Sequence, residues 1–470
     1  MSSAPESTAN VSVPIRRVVL VAATAALGGF LFGFDTAVIN GAVSAIQQEF
    51  ELGDAALGFA VSSALIGCAI GAWFAGRIAD RYGRIRVMVI AAILFVVSAV
   101  GCGLAIGVYD LSFWRIVGGL GVGAASVIAP AYIAEVSPPA HRGRLGSLQQ
   151  LAIVTGIFVA LLTAAVIVAI AGSSTTEWLL GLQAWRWMFL AEIVPAVVYG
   201  LLALTIPESP RFLVARGELK RAREVLTRYV GGDIEKTTTD IIKTVEGKSD
   251  RPRFSILRGG KFGLLPIVWI GIGLSVLQQF TGINVIFYYS STLWQAVGFT
   301  EQDSLTITVI TSVTNIVTTI VAIMLIDKVG RKPLLLVGAI GQFACLLVLA
   351  IVFATATVVD GSPVLEGAAG PIALVAANLY VVFFGVSWGP VVWVMLGEMF
   401  SNKIRALALS VAAAAQWGAN FVISTTFPAL ASVGLGLAYG VYTFFAFVAI
   451  FFVLRFIKET KGRTLESMTD

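Results

Sequence analysis

Gly76-Arg77-Ile78-Ala79-Asp80-Arg81-Tyr82-Gly83-Arg84 closes one long apolar run, and Asp327-Lys328-Val329-Gly330-Arg331 closes another in the second half of the chain. A second echo accompanies the first: Glu135 precedes Arg142 by the same spacing at which Glu398 precedes Arg405. Two homologous units are the simplest explanation, and the residues around these motifs say what the units are made of. Of 470 residues, 57% are hydrophobic and 13% charged, where a soluble domain carries about 25% charged residues. Mean hydropathy is +0.90. A soluble globular fold, a disordered chain and a disulfide scaffold are thereby excluded. The 48 glycines and 15 prolines lie among apolar runs and suit packed membrane helices, which tolerate both better than soluble helices do. Cys68, Cys102 and Cys345 fall in the same runs without the spacing of a disulfide framework, metal cluster or redox motif, and read as small buried fillers.

A membrane-crossing helix needs about 20 mostly apolar residues, and twelve runs qualify: 18–43, 57–76, 87–107, 111–134, 147–171, 185–206, 264–290, 304–326, 333–356, 372–396, 406–430 and 436–456. The first contains Asp35 and follows a polar stretch with no small-residue cleavage pattern behind it, so it is expected to stay inserted and not to be removed as a signal peptide. Cytoplasmic loops retain Lys and Arg. With a cytoplasmic N-terminus, every Lys and Arg except Arg115 and Arg186 falls on the cytoplasmic side; the opposite loops carry Glu49, Glu51, Asp54, Asp110, Glu177, Glu301, Asp303, Asp360 and Glu366 and no basic residue. Both termini are therefore expected in the cytoplasm of a multi-pass plasma (inner) membrane protein. The basic pI of about 9.1 reflects this bias and no nucleic-acid partner. The predicted class is an all-α membrane protein: a tail at 1–17, a six-helix bundle at 18–206, cytoplasmic linker helices at 207–263, a second, pseudo-symmetric six-helix bundle at 264–456 and a tail at 457–470. Transporters that rock two repeats about a central site are built this way.

Three further motifs stand in order with the first: Pro207-Glu208-Ser209-Pro210-Arg211, Gln278-Gln279-Phe280-Thr281-Gly282-Ile283-Asn284 and Glu459-Thr460-Lys461-Gly462-Arg463-Thr464. Over nearly the whole chain this set resembles the sugar porter family of the major facilitator superfamily, most of all its bacterial proton-coupled xylose, glucose and galactose symporters. The resemblance implies the twelve-helix fold of that superfamily, a monosaccharide and protons as substrates, a lipid bilayer as host, a monomer, and neither cofactor nor metal. Lys458 stands where the family tail motif usually has proline, a departure confined to local tail geometry.

An ionisable side chain in hydrocarbon costs several kcal/mol unless paired or wet, so each one marks a candidate site. Counted at about 1.5 Å per residue, Asp35 in span 1, Arg115 in span 4 and Glu192 in span 6 fall in one slab of the outer half. Drying raises a carboxyl's proton affinity and a neighbouring arginine lowers it, so a movement that changes their separation can couple protons to conformation. A static salt bridge that fixes helix packing is the plain alternative. The resemblance favours coupling, because Asp35 and Arg115 fall where proton symporters carry it and facilitative relatives commonly lack the span 1 acid. Glu192 stays open between coupling and structure. His141, the sole histidine, lies in a loop and is a poor proton relay.

A neutral polyol needs donors and acceptors for its hydroxyls, apolar faces for its C–H surfaces, and no net charge opposite it. Span 7 offers Gln278, Gln279 and Asn284 around Gly282, whose helix-loosening tendency lets that span gate. Span 5 offers Gln150, span 8 Asn315, and span 11 Gln416 and Asn420 on one helix face. Phe32, Tyr288, Tyr289, Trp393 and Trp417 supply aromatic faces, while Trp388 reads as packing beside a hinge. Interhelical glue is the alternative for the amides, and packing or an interfacial belt for the aromatics. The resemblance puts Gln150, Gln278, Gln279, Asn284, Asn315, Trp393, Gln416, Trp417 and Asn420 on the sugar site. It also sets Asp80, Arg84, Glu135 and Arg142 against Asp327, Arg331, Glu398 and Arg405 as a cytoplasmic latch of ion pairs, with topology-setting as their alternative role.

One histidine, no phosphate-binding glycine loop and no metal-ligand spacing leave an enzyme poorly equipped. A drug exporter is expected to have a greasier site, and a sugar sensor a longer tail. The sequence is thus read as a proton-coupled symporter of a monosaccharide, a hexose and by first choice glucose, working by alternating access. A facilitative uniporter, or a symporter of xylose, galactose or myo-inositol, is the rival reading.

Overall fold

The structure is a computed structural model describing residues 13–138, 142–246, 254–259, 263–359, 362–400 and 404–461. Among the described residues, twelve helices are long and apolar enough to cross a membrane: spans 1 to 12 are Ile15–Glu49, Asp54–Tyr82, Arg84–Gly103, Val108–Val136, Leu145–Ala171, Ala184–Ala203, Pro266–Ala296, Glu301–Ile326, Arg331–Ala354, Ala369–Met399, Leu407–Val433 and Leu435–Phe456. Most reach further than the hydropathy pattern predicts, because helix continues through the polar residues that flank each apolar run; Glu49, Arg84 and Glu135 are thereby helical. Large apolar side chains such as Ile70, Trp73, Val194, Leu201, Phe447 and Phe451 are exposed on the outside of the bundle. A hydrocarbon surround makes that favourable, while the helices satisfy their own backbone groups.

Between membrane helices, association rests on close van der Waals packing and not on burial from water. Span 2 packs along span 4, span 1 along span 5 and span 9 along span 12. The first contact is made by small residues four apart on both partners. A Cβ on Gly67 or Gly71 would press into the carbonyls of Ile116 and Leu120, and one on Gly119 would lie 2.0 Å from the Ala64 oxygen. The two halves meet where span 2 lies against span 11, span 5 against span 8, and span 1 against the second part of span 7.

Among the described residues three spans are interrupted: one break holds Glu192, one falls between Gln279 and Asn284, and one ends at Trp388. Span 6 breaks between Ala184–Leu190 and Ile193–Ala203, at Glu192. Span 7 breaks between Pro266–Phe280 and Ile283–Ala296, where Gly282 takes a left-handed conformation at φ +86° with the Tyr442 ring 2.7 Å from where a Cβ would stand. Glycine alone suits both demands. Span 10 widens into a π turn at Phe384–Trp388 before the helix resumes at Gly389. The segment between the halves forms the helices Pro210–Ala215, Leu219–Val225 and Ile234–Glu246. One feature the sequence reading did not foresee is an antiparallel pair of three-residue strands, Thr357–Val359 with Ser362–Val364, between spans 9 and 10.

Candidate functional site

Asp35, Arg115 and Glu192 converge inside the first half, each 1% exposed. Arg115 Nη1 donates to the main-chain oxygen of Asp35 at 2.7 Å and lies 3.8 Å from its Oδ1; Nη2 reaches the Val61 carbonyl at 3.5 Å. The guanidinium is thus held by backbone carbonyls more closely than by the acid. Asp35 Oδ2, Arg115 Nε and both Glu192 oxygens have no hydrogen-bond partner. Glu192 lies within electrostatic reach of both other charges. Span 4 comes this close because residue 118 is glycine: a Cβ there would lie 2.8 Å from Asp35 Oδ1 and 2.5 Å from Ser98 Oγ. A carboxylate paired at the edge of ion-pair distance, with one oxygen free, can gain or lose a proton without the arginine losing its seat.

At the span 7 break the amides form one chain. Gln278 Nε2 donates to the Trp388 carbonyl at 2.8 Å, Gln279 Nε2 to Gln278 Oε1 at 3.1 Å, Gln416 Nε2 to the same Oε1 at 2.6 Å, and Asn284 Nδ2 to Gln279 Oε1. Asn420 accepts from Ser424 Oγ at 3.0 Å and sits 3.5 Å from the Tyr288 hydroxyl. The rings of Phe32 and Trp417 meet across the halves at 5.7 Å between centroids. Asn315 is buried, Gln150 half-buried and Trp393 exposed, and the side-chain hydrogen bonds described do not extend to these three. Tyr289 has a packing role: its hydroxyl is committed to the Ser424 carbonyl and its ring packs at a tilt against Phe427. Trp388 does more than pack, since its carbonyl receives Gln278 and its indole N–H holds the Leu335 carbonyl at 2.9 Å, tying the π turn of span 10 to spans 7 and 9.

Sequence reasoning missed the polar contacts that join the halves at the end away from the linker. Asn40 donates to the Phe287 carbonyl at 2.9 Å and accepts at its own carbonyl from Ser291 Oγ, Ser62 meets Thr425 at 2.6 Å, and Glu301 accepts from Ser173 Oγ and the Ser174 amide. An asparagine inside an apolar span was a visible signal for the first. Ser62 and Thr425 are hydroxyls inside apolar spans, and Ser173, Ser174 and Glu301 stand at span ends; neither kind carries such a signal.

The charged motifs at the linker end are organised differently from the sequence reading. Arg84 makes two bonds to Glu135 and pairs with Asp80 at 3.2 Å; Arg331 makes two bonds to Glu398. These pairs lie within each half, where the expectation set them against one another between halves. The side chains of Arg142, Asp327 and Arg405, and the whole of His141, lie outside the described residues. The sequence reading also kept apart two motifs that the fold makes equivalent. Glu208 accepts from the amides of Arg84 and Ile85, and Ser209 donates to Glu135; Glu459 accepts from the amides of Arg331 and Lys332, and Thr460 donates to Glu398 at 2.6 Å. Each carboxylate caps a helix N-terminus, where main-chain N–H groups and the helix dipole favour an anion. Burial opposes ionisation of Glu459, but main-chain donors from Lys461, Arg331, Lys332 and Thr460 outweigh it and hold the carboxyl below its ordinary value.

Residues 21–470 match the family described as sugar (and other) transporter. The chain is 61% identical to a glucose transport protein of Synechocystis over 99% of both chains, and 39% identical to the D-xylose-proton symporter of Escherichia coli K12 over 94% of this chain and 93% of that one. Its fold matches the solved structure of the proton:xylose symporter XylE bound to 6-bromo-6-deoxy-D-glucose with a TM-score of 0.78 at 36% identity, covering 97% of this chain and 98% of the other. With twelve spans, paired halves and this degree of identity over almost its whole length, the chain belongs to the sugar porter family of the major facilitator superfamily.

Proposed function

We propose that this transporter imports a monosaccharide, a hexose and by first choice glucose, together with a proton, by alternating access between bundles 18–206 and 264–456. The observation that carries the reading is Asp35: a fully buried carboxylate, 3.8 Å from Arg115, with an oxygen that has no partner. A purely structural pair has no use for that free oxygen in a dry site, whereas a proton carrier does. Gln150, Gln278, Gln279, Asn284, Asn315, Gln416 and Asn420 bind sugar hydroxyls, and Phe32, Tyr288, Trp393 and Trp417 cover its C–H faces. Glu192 supports the proton step. The amide chain at the span 7 break supports the binding role, since one more hydroxyl can exchange into it without leaving a polar group bare. The identity to a glucose transport protein favours a hexose; the xylose symporters favour the coupling. The linker and both termini lie in the cytoplasm, a placement the distribution of Lys and Arg supports, and the Arg84–Glu135 and Arg331–Glu398 clusters brace that side. The transporter works as a monomer in the plasma membrane.

The test is uptake by purified protein in liposomes with an imposed pH gradient and an internal pH dye, across glucose, galactose, xylose, fructose and myo-inositol. Proton entry that depends on one of these sugars identifies both coupling and substrate. Saturable uptake without proton movement makes the protein a facilitator and leaves Asp35–Arg115 a structural pair.

A further inference from the structure

Spans 7 and 10 are both irregular, and each irregularity is held by a side chain of the other. At the span 7 break most freed carbonyls are served locally: Leu277 accepts from the Thr281 N–H at 3.3 Å, Gln278 from the Thr281 hydroxyl at 3.1 Å and Gln279 from the Gly282 N–H at 2.9 Å. The Thr281 carbonyl is different. In an unbroken helix it would accept from the Val285 N–H, but with Gly282 left-handed no main-chain hydrogen bond of the described residues reaches it. Its donor comes from span 10. The Tyr380 hydroxyl donates to that oxygen at 2.8 Å and lies 3.4 Å from Thr281 Oγ1, with both residues buried. Tyr380 stands one turn before the π turn at Phe384–Trp388, and the Trp388 carbonyl at the far end of that turn accepts from Gln278. Span 10 thus grips span 7 at the last turn before the break and at the break itself.

A buried carbonyl left without a donor is costly, so the broken form of span 7 is favoured only while Tyr380 supplies the missing hydrogen bond. The residues directly past the break are the candidate sugar groups Asn284 and Tyr288, carried on the single helix Ile283–Ala296. A change of angle at Thr281–Gly282 therefore moves both together. We propose that Tyr380 is a positioning residue of the sugar site: its hydroxyl replaces the main-chain donor that the break withdraws from Thr281, and so sets the angle at which Ile283–Ala296 presents Asn284 and Tyr288 to the sugar. This rests on the sugar-binding reading given above. Tyr442 supplies an internal contrast. Its ring packs at Gly282 in the same break, yet its hydroxyl has no hydrogen-bond partner, so it acts there through its ring alone.

Tyr380→Phe removes the donor and keeps the ring. Calorimetric titration of the purified protein with glucose, galactose, xylose, fructose and myo-inositol identifies the sugar the native chain binds, and that sugar is then the probe for every variant. Its affinity is expected to fall about tenfold in Tyr380→Phe, the factor that one net hydrogen bond is worth, and to stay unchanged in Tyr442→Phe. Asn284→Ala is expected to lose about tenfold as well. The double variant Tyr380→Phe with Asn284→Ala separates positioning from general support. A hydroxyl that acts by placing Asn284 has nothing left to place once the amide is gone, so the combined loss is expected to stay near tenfold, whereas independent contributions would multiply to about a hundredfold. Multiplying losses would overturn the proposal, and so would a Tyr380→Phe protein that melts lower but binds sugar normally. The sugar reading is judged separately. Native protein that binds none of these sugars, or an Asn284→Ala variant that binds normally, removes the sugar site from this break and the role of Tyr380 with it; native binding and a weakened Asn284→Ala beside a normal Tyr380→Phe remove Tyr380 alone.

Discussion

Replacing Asp35 by Asn keeps the side chain's shape and removes its charge and its proton. At 3.8 Å and an effective dielectric constant of about 20, the attraction lost between residue 35 and Arg115 is roughly 4 kcal/mol. Drying each ion costs several kcal/mol in the opposite direction. The two terms oppose each other, so a change in separation during the transport cycle loads or unloads the carboxyl. In the Asn variant the guanidinium keeps its bonds to the main-chain oxygen of residue 35 and to the Val61 carbonyl. The loss of stability is accordingly expected below the about 3–5 kcal/mol usual when a buried pair is broken, and sugar counterflow is expected to survive in part. Accumulation is not. One pH unit is worth 1.36 kcal/mol, so with one proton per sugar the native protein is expected to concentrate sugar by up to about tenfold per unit of imposed gradient; the variant is expected to stop at an inside-to-outside ratio near one. The assay is radiolabelled sugar uptake into liposomes at a series of imposed gradients. An accumulation ratio in the Asn variant that climbs with the gradient as the native ratio does would refute the argument from the Asp35–Arg115 geometry.

Ala at Gln279 is expected to weaken sugar binding roughly tenfold, the equivalent of one lost hydrogen bond and the disturbance of its partners Gln278 and Asn284; Ala at Gln150 is expected to act in the same direction. Calorimetric titration checks both, and normal affinity in the two variants would remove them from the site. Gly119→Val forces spans 2 and 4 apart, because even its Cβ would lie 2.0 Å from the Ala64 oxygen. Overpacking of this kind costs about 1–3 kcal/mol, so the melting temperature in detergent is expected to drop, and an unchanged one would contradict the close approach of these helices. The Glu459 carboxyl is held below its ordinary value, so the stability it contributes is present above the unfolded-state value and is lost as pH falls through the lower folded-state one. Glu459→Gln is therefore expected to be less stable than the native protein at neutral pH, with the gap in melting temperature closing in acid below about pH 4.3, the usual carboxyl range. A gap that is constant across pH would show that the carboxylate's charge is irrelevant to the cap.

What the sequence made legible depended on whether the controlling physics is local. Hydropathy located all twelve spans because every stretch inside hydrocarbon must satisfy its own backbone, and this leaves a run of apolar residues no tertiary contact can override. Asp35, Arg115 and Glu192 stood out for the same reason: a charge in such a run is conspicuous whatever surrounds it. The break at Gly282 was readable from the residue itself, and the hinge at Trp388 from Gly389-Pro390 beside it; the break at Glu192 follows from Pro195, which cannot donate to the Ala191 carbonyl, a signal the sequence reading did not use. Partnerships were the least legible. Arg84 and Arg331 carry no mark of whether their acids lie in the same half or the other, and the equivalence of Glu208-Ser209 with Glu459-Thr460 is hidden because the two pairs follow span 6 and span 12 in motifs of different sequence. Only the fold brings each carboxylate to the amides that open spans 3 and 9. That repetition bears on mechanism. Because the linker and the tail each lock onto the first turn of a different half, each half has its own brace at the same end, and neither brace has to break when the halves move against each other. The contacts that must break for that movement are instead those between the halves at the opposite end, where Asn40, Ser62 and Glu301 reach across.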